Sequence, residues 1–393
     1  MNNFVYWAPT EVIFGKDTEL QVTAAIKKFE GNRIFIVYGG GSVVRSGLLN
    51  RVLEQFKKEN IPYKAVGGVQ PNPRLGFAKK AIEEAKAFGA DFILAVGAGS
   101  VIDTAKAIAH GVANPEVELW DFWLRKQVVE RSLPVGCILT LSAAGSETSN
   151  SSVLTNEETG EKRGLSTDFN RPKFAIMNPE ITYTLPKEQI TYGIVDIMMH
   201  TLDRYFTPTK GNTFTDEVAE ALLRTVISYG EKALQNSYDY EAMSELMWCG
   251  SISHNGLTGL GAVSDFAPHQ LGHELSGKFD VAHGASLSTI WGAWANYCYE
   301  ENPERFAQFG KKVWGIEEED TKKCAVRAIE KLVGYFKSIG APTCFSELGI
   351  GIQDEESLRD LARRCAFYGT RTIGSFKVLD EKAMYEIYKI ANK

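Results

Sequence analysis

Four of the six histidines in the chain fall in two short stretches. In Gly193-Ile-Val-Asp196-Ile-Met-Met-His200 a carboxylate and an imidazole stand four residues apart, on one face of a helix. Asp265-Phe-Ala-Pro-His269-Gln-Leu-Gly-His273 repeats that spacing with two imidazoles, and His283-Gly284 follows after the polar turn Gly277-Lys-Phe-Asp280. Imidazole nitrogens with one carboxylate are the ligand set of a catalytic divalent metal. A lone histidine on a helix is more often a packed or solvated residue than a ligand. Two compact clusters are harder to explain that way. His110 and His254 stand outside the pattern and read as structural.

A second chemistry is carried by glycine-rich turns. Gly39-Gly40-Gly41-Ser42 and Gly97-Ala98-Gly99-Ser100 each follow an apolar run and open a helical stretch. Neither is a full G-x-G-x-x-G, and one such turn alone is as well explained by a tight strand-to-helix junction. Two of them, both with Ser after the glycines, fit backbone amides presented to a pyrophosphate. Thr140-Leu141-Ser-Ala-Ala-Gly145-Ser146-Glu147 is a third small-residue turn, equally a ligand approach or a plain junction. NAD enzymes often place an acid near a strand tip for the ribose hydroxyls. Tyr38-Gly39 and Val66-Gly67 offer none, which leans toward NADP.

These residues need a scaffold. Apolar runs at 33–38, 62–66, 91–96, 137–141 and 173–177 alternate with helical periodicity at 48–58 and 77–88 and with a helix through 104–108. That alternation predicts βαβ units and a parallel sheet, whose ligands bind beyond the carboxyl ends of the strands. Residues 156–161 read as a hairpin turn. After Pro186 the β-type runs stop, and helices are expected at 188–206, 214–235, 239–260, 263–276, 284–298, 303–314, 319–339, 354–367 and 380–391. The expected architecture is an α/β dinucleotide-binding, Rossmann-like domain over 1–185 and an all-α metal-binding domain over 186–393.

Composition narrows the function. The 393 residues are 44% hydrophobic and 23% charged, ordinary for a globular protein. A net charge of -6 gives no electrostatic footprint for nucleic acid or anionic lipid. No apolar run approaches the roughly 18 residues of a membrane span, and the first residues lack a secretory pattern. Six scattered cysteines without a C-x-x-C pair fit a reducing, cytoplasmic compartment.

Four segments together resemble the iron-containing, group III alcohol dehydrogenases, most closely the NADH- or NADPH-dependent butanol dehydrogenase and aldehyde reductase branch. They are Gly97-Ala-Gly-Ser-Val-Ile-Asp103-Thr-Ala-Lys106, the Thr140–Glu147 turn, Asp196-Ile-Met-Met-His200, and His269-x-x-x-His273 running on to His283-Gly284. The resemblance spans nearly the whole chain. It implies an active site in a cleft between an N-terminal nucleotide domain and a C-terminal helical domain, and a homodimer. It implies Asp196, His200, His269 and His283 as metal ligands, with Fe(II) the family's metal and Zn(II) equally suited to the donors. His273 becomes a proton-handling candidate near the nicotinamide, with Asp103 beside it. Cofactor contacts are expected from Gly39, Gly40, Gly41, Ser42, Gly97, Ala98, Gly99, Ser100, Asp103, Thr140, Leu141, Ser149, Ser151 and Lys162. Ala98 replaces the usual middle glycine, which requires a negative φ there.

The implied reaction is hydride transfer between NADPH, or NADH, and a small aldehyde or primary alcohol. Trp120-Asp-Phe-Trp123 and Phe266 are candidates either for an apolar substrate pocket or for core. Rivals are glycerol dehydrogenase-like polyol oxidation, which uses three protein ligands in this fold, a dehydroquinate-synthase-like lyase, and a non-catalytic nucleotide- and metal-binding protein.

Overall fold

The structure, a computed structural model, describes all 393 residues. The chain divides into two compact units, Trp7–Leu185 and Pro186–Lys393, the latter joined by Met1–Tyr6.

The first unit is built on a six-stranded parallel sheet. In chain order its elements are β1 (Glu11–Phe14), α1 (Val22–Lys28), β2 (Ile34–Gly39), α2 (Ser42–Arg45), α3 (Leu48–Lys58), β3 (Tyr63–Val69), α4 (Leu75–Phe88), β4 (Phe92–Gly97), α5 (Gly99–Ala113), α6 (Leu119–Trp123), β5 (Val135–Leu139), β6 (Ser151–Asn156), β7 (Glu161–Ser166) and β8 (Phe174–Met177). The sheet runs β1-β8-β5-β4-β2-β3, every pairing parallel, and β6 and β7 form a separate antiparallel hairpin. Alternate residues of β2 and β4 (Ile34, Ile36, Phe92, Leu94, Val96) pack against Val22 and Ile26 of α1 and Leu48, Val52 and Phe56 of α3. Their neighbours Phe35, Val37, Ile93 and Ala95 are fully buried as well, so both faces of these strands are covered.

From β2 the chain goes outward to β3, then returns to β4 on the other side of β2. The order of crossovers therefore reverses between β2 and β4, and such a reversal opens a crevice at the carboxyl ends of the two strands. The Gly39–Ser42 and Gly97–Ser100 turns both stand there.

The second unit is helical: α7 (Lys187–Tyr205), α8 (Thr213–Gln235), α9 (Tyr240–His254), α10 (Ala267–Phe279), α11 (His283–Cys298), α12 (Pro303–Trp314), α13 (Thr321–Ser338), α14 (Glu355–Cys365) and α15 (Glu381–Ala391). At its centre α7 packs against α8, α9, α10 and α11. All but one of the residues from Ile190 to Tyr205 are buried, as expected of a helix covered on every side. The polar residues inside that run, Asp196, His200, Asp203 and Arg204, therefore need partners.

Four differences from the sequence expectation have physical reasons. Strand β3 runs through Gly67 and Gly68 to Val69, because the irregularity at Gly68 (φ +108) is absorbed by a register shift against β2. Strand β1 carries no strong apolar run and is defined by its pairing with the distant β8, Glu11 opposite Phe174. The expected 239–260 helix stops at His254, after which Gly256 turns left-handed (φ +103). The expected 263–276 helix begins only at Ala267, because Phe266 itself is left-handed (φ +57).

His110 is structural. On α5 it is fully buried, with Nε2 2.8 Å from Asn170 Oδ1 and Nδ1 2.9 Å from Ser132 Oγ. Burial, partly offset by the Asn170 bond, depresses its pKa to about 4. A histidine depressed in the folded state contributes stability that is present above its unfolded value and lost as pH falls toward the folded one. The window is pH 6.5 to about 4, and the loss over it is about 3 kcal/mol. Replacing His110 by Gln keeps polar contacts but cannot charge. Urea unfolding at pH 7 and pH 5 should show about 2 kcal/mol less pH-dependent loss in the variant than in the wild-type chain. Equal losses would remove His110 from the acid response.

Candidate functional site

The metal-type residues converge on one buried point. Asp196 and His200 project from one face of α7, and His269 approaches from the third residue of α10. One donor atom from each lies within 4.8 Å of the other two. His200 Nδ1 bonds the Asp196 carbonyl at 2.9 Å, directing Nε2 outward from its own helix. His269 Nδ1 lies 2.5 Å from Asp203 Oδ2, so Asp203 fixes that ring from behind. His283 opens α11 and brings Nε2 to 3.7 Å from Asp196 Oδ1.

The helices meet there because particular residues permit it. A Cβ on Gly284 would lie 2.3 Å from the Tyr192 carbonyl oxygen, so only glycine lets α11 start against α7 beside His283. The left-handed Phe266 bends the chain just before α10. Its ring then packs against the His269 ring (centroids 5.4 Å) and under the Arg204 guanidinium (4.8 Å).

Asp196 Oδ1 and His269 Nε2 are buried and lack a hydrogen-bond partner. Their separation, 3.8 Å, is too long for a bond to each other. Leaving such groups unpaired costs about 1–3 kcal/mol each. A cation between them satisfies both, and the donor set suits a divalent ion. The residues therefore fit a metal. Burial pushes the Asp196 carboxyl up, but the imidazoles of His200 and His283 outweigh it and hold it well below the usual range. His200 is depressed by burial, against the pull of Asp196, and so stays a neutral donor. Burial also opposes charge on His269, yet Asp203, with help from Asp196, carries it up to about 8.

His273, one turn beyond His269, is half-buried, with its ring 6.3 Å from that of His269 and 5.3 Å from that of His283. Neither it nor His283 belongs to the tight donor group, which is Asp196, His200 and His269 alone. His254 lies closer than its sequence context indicated, its ring centroid 4.0 Å from that of His200 and tilted 38° to it.

In the sheet unit the residues are tied differently. Ala98 has φ −85, so its side chain is accommodated where the family usually has glycine. It precedes α5 with no side-chain cap, leaving the first N–H groups of the helix available to an anion. Gly97 cannot carry a Cβ, which would fall 2.4 Å from the Val101 side chain. Thr140 N donates to Gly97 O at 3.3 Å, setting the third turn beside the second; Leu141 next to it is half-buried.

Asp103 is engaged on both oxygens, by Ser146 Oγ (2.6 Å) and Val153 N (2.9 Å). Lys106, fully buried, donates to Ser146 O (2.8 Å), Ser146 Oγ (2.8 Å) and Ser151 O (2.7 Å). Burial raises the Asp103 carboxyl and lowers the Lys106 ammonium, and each is the chief charge opposing the other's shift. Together they clamp the 145–151 turn and β6 onto α5. Ser149 is buried with its hydroxyl accepting from Ser151 N (3.2 Å), and Lys162 donates to Asn72 Oδ1 (2.9 Å). Trp120, Phe122 and Trp123 are core: the latter two contact His110, and Trp123 Nε1 donates to Ser152 O.

Asp203 and the clamping role of Lys106 were not predicted. Asp203 had a signal, since 196, 200 and 203 lie at i, i+4 and i+7 on one helix face. Nothing in the local sequence announces the acceptors of Lys106, which come from forty residues away.

The model of the iron-containing alcohol dehydrogenases matches residues 9–179, and that of the C-terminal part of the Fe-containing alcohol dehydrogenase family matches 190–392. NADH-dependent butanol dehydrogenase A of Clostridium acetobutylicum is 39% identical over 99% of both chains. The NADPH-dependent aldehyde reductase of Escherichia coli is 32% identical over the full length of both. The crystal structure of an NADH-dependent butanol dehydrogenase A from Thermotoga maritima superposes with a TM-score of 0.96 at 36% identity, covering 100% of this chain and 99% of that one.

Replacing Lys106 by Met leaves two carbonyls and Asp103 without their buried cation. The expected loss, read by urea unfolding, is about 3–5 kcal/mol, the usual cost of breaking a buried charge pair. A loss within the roughly 0.5 kcal/mol of a neutral surface change would mean the clamp is dispensable.

Proposed function

The chain belongs to the iron-containing alcohol dehydrogenase family, and on that premise we propose that it reduces short-chain aldehydes to primary alcohols with NADPH at the Asp196–His200–His269–His283 centre. It is an NAD(P)H-dependent oxidoreductase that transfers hydride and uses a divalent metal. The observation that carries the reading is the buried, unpartnered pair of Asp196 Oδ1 and His269 Nε2 beside His200 and His283.

In this reading Asp196, His200, His269 and His283 hold the ion, iron being the family's metal. When bound, the metal supplies Lewis-acid polarisation of the carbonyl oxygen and the nicotinamide supplies hydride. Reduction also consumes one proton. His273 is the proposed carrier, a half-buried imidazole next to the donors but outside them. Phe266, half-buried against His269, is the proposed apolar wall on the substrate side. Asp103 is reassigned from chemistry to positioning, because both its oxygens already hold other parts of the fold. The amides of Gly39–Ser42 and of Gly97–Ser100, at the β2/β4 switch point, are the proposed phosphate contacts. Thr140, Leu141, Ser149, Ser151 and Lys162 would support the turns beside them.

The preference for NADPH rests on the tip of β2, where no carboxylate repels a 2′-phosphate, and on the Arg45 guanidinium beside Gly41. Several similar relatives are named as NADH-dependent, so the two cofactors are to be compared directly. A cytoplasmic homodimer is the proposed setting. Six free, buried cysteines support the compartment, and the exposed apolar Phe4, Val5 and Trp7 support an assembly. No helix is long and apolar enough to cross a membrane.

Oxidation of NADPH by butanal, followed at 340 nm, should stop after chelation and return on adding Fe(II) or Zn(II). His269→Ala should neither retain metal nor turn over. Full activity in a variant shown to be metal-free would defeat the mechanism.

Gly39 has negative φ and room for a Cβ, the nearest atom being Val69 O at 3.6 Å. Gly39→Asp should therefore fold normally while placing a carboxylate at the strand tip. We expect the ratio of kcat/KM for NADPH to that for NADH to fall by at least about tenfold, the effect of 1.4 kcal/mol. An unchanged ratio would place the 2′-phosphate elsewhere.

A further inference from the structure

We propose that Asp203 is a positioning residue of the metal centre, orienting His269 and placing a second carboxylate behind a buried divalent ion. This rests on the metal-centre reading above.

Asp203 lies two helical turns beyond Asp196 on the same face of α7 and is itself buried. Its Oδ2 is 2.5 Å from His269 Nδ1. That contact makes Nδ1 the protonated nitrogen and leaves the lone pair on Nε2, the atom that faces Asp196 Oδ1. A ligating imidazole backed by a carboxylate is held in one tautomer and one ring orientation and is a stronger base. His200 Nδ1 meets the backbone carbonyl of Asp196 (2.9 Å) and lies 3.1 Å from Asp196 Oδ1. The carboxylate nearest His200 is thus itself a proposed ligand, whereas His269 is backed by one outside the ligand set.

Charge makes the second half of the argument. Among the four proposed ligands only Asp196 is anionic, so a divalent ion leaves one positive charge in the interior. Asp203 places a second carboxylate behind His269, facing that charge. It also offsets the buried guanidinium of Arg204, whose Nη1 donates to the carbonyls of His200 (2.6 Å) and Ser253 (3.2 Å). The placement is also braced. Asp203 O accepts from Asp265 N (2.7 Å), and Asp265 accepts from Ala267 N (3.1 Å) at the start of α10 and from Ser375 N (2.6 Å) and Phe376 N (2.8 Å). The carboxylate and the histidine it orients are therefore fixed to one frame.

The test is titration of the metal-stripped, full-length chain with Co(II) against a chromophoric chelator, with the Co(II) d–d spectrum recorded alongside. Asp203→Ala should weaken Co(II) binding by roughly 10–100-fold and alter the spectrum. Asp203→Asn keeps an acceptor for Nδ1 but not the charge and should fall between; it also serves if the alanine variant does not fold. Asp203→Glu should restore most of the affinity. If both Asp203→Asn and Asp203→Glu bind with wild-type affinity and spectrum while His269→Ala binds weakly, this inference is wrong and the metal centre stands. If the wild-type chain binds no Co(II), or His269→Ala binds as well as wild type, the metal-centre reading fails and takes this inference with it.

Discussion

The helical unit depends on keeping one carboxylate charged in its interior. Asp196 sits on the most buried helix of the molecule, where an isolated anion would be protonated or expelled. It stays ionised because imidazoles surround it, and those imidazoles arrive on three separate helices. That requirement sets tolerances elsewhere. Gly284 must be glycine for α11 to reach α7, and Phe266 must adopt a left-handed backbone for α10 to begin where it does. Each is locally unfavourable, and each persists because packing over-determines it.

The sheet unit solves a similar problem with a different pair. Lys106 is fully buried and Asp103 largely so. Their hydrogen bonds are spent on holding the 145–151 turn and β6 against α5. The glycine turns can then remain bare, because the rigidity that a side chain would have provided comes from beneath. Bare amides at a fixed position suit a phosphate, whose oxygens need donors that do not have to reorganise.

How much of this was legible depended on whether its cause was local. The i, i+4 spacing of Asp196 with His200 and of His269 with His273 is a local signature, as are the glycine turns and the periodicity of α3 or α12. The spacing alone could not say which of His269 and His273 meets Asp196 and His200. The structure brings His269 to them, on an α10 that begins only at Ala267. Strand β1 was invisible because its partner lies 163 positions away. Trp120 and Trp123 could be read as pocket or core, and only the packing of α6 on His110 and β6 decided for core.

The two influences on His269 oppose each other until their targets are separated. As the third residue of α10 it lies near the positive end of a helix dipole, which disfavours protonation. Asp203 does the reverse and, with Asp196, outweighs the burial of the ring. A proton and a metal ion compete for the same Nε2, and a carboxylate behind the ring stabilises positive charge there of either kind. A divalent ion carries twice the charge and in the proposed centre would also be held by Asp196, His200 and His283, whereas the proton has only the one imidazole. Raising the basicity of His269 therefore favours the metal more than the proton, provided the other donors stay deprotonated. His200, depressed by burial, and Asp196, held ionised, meet that condition.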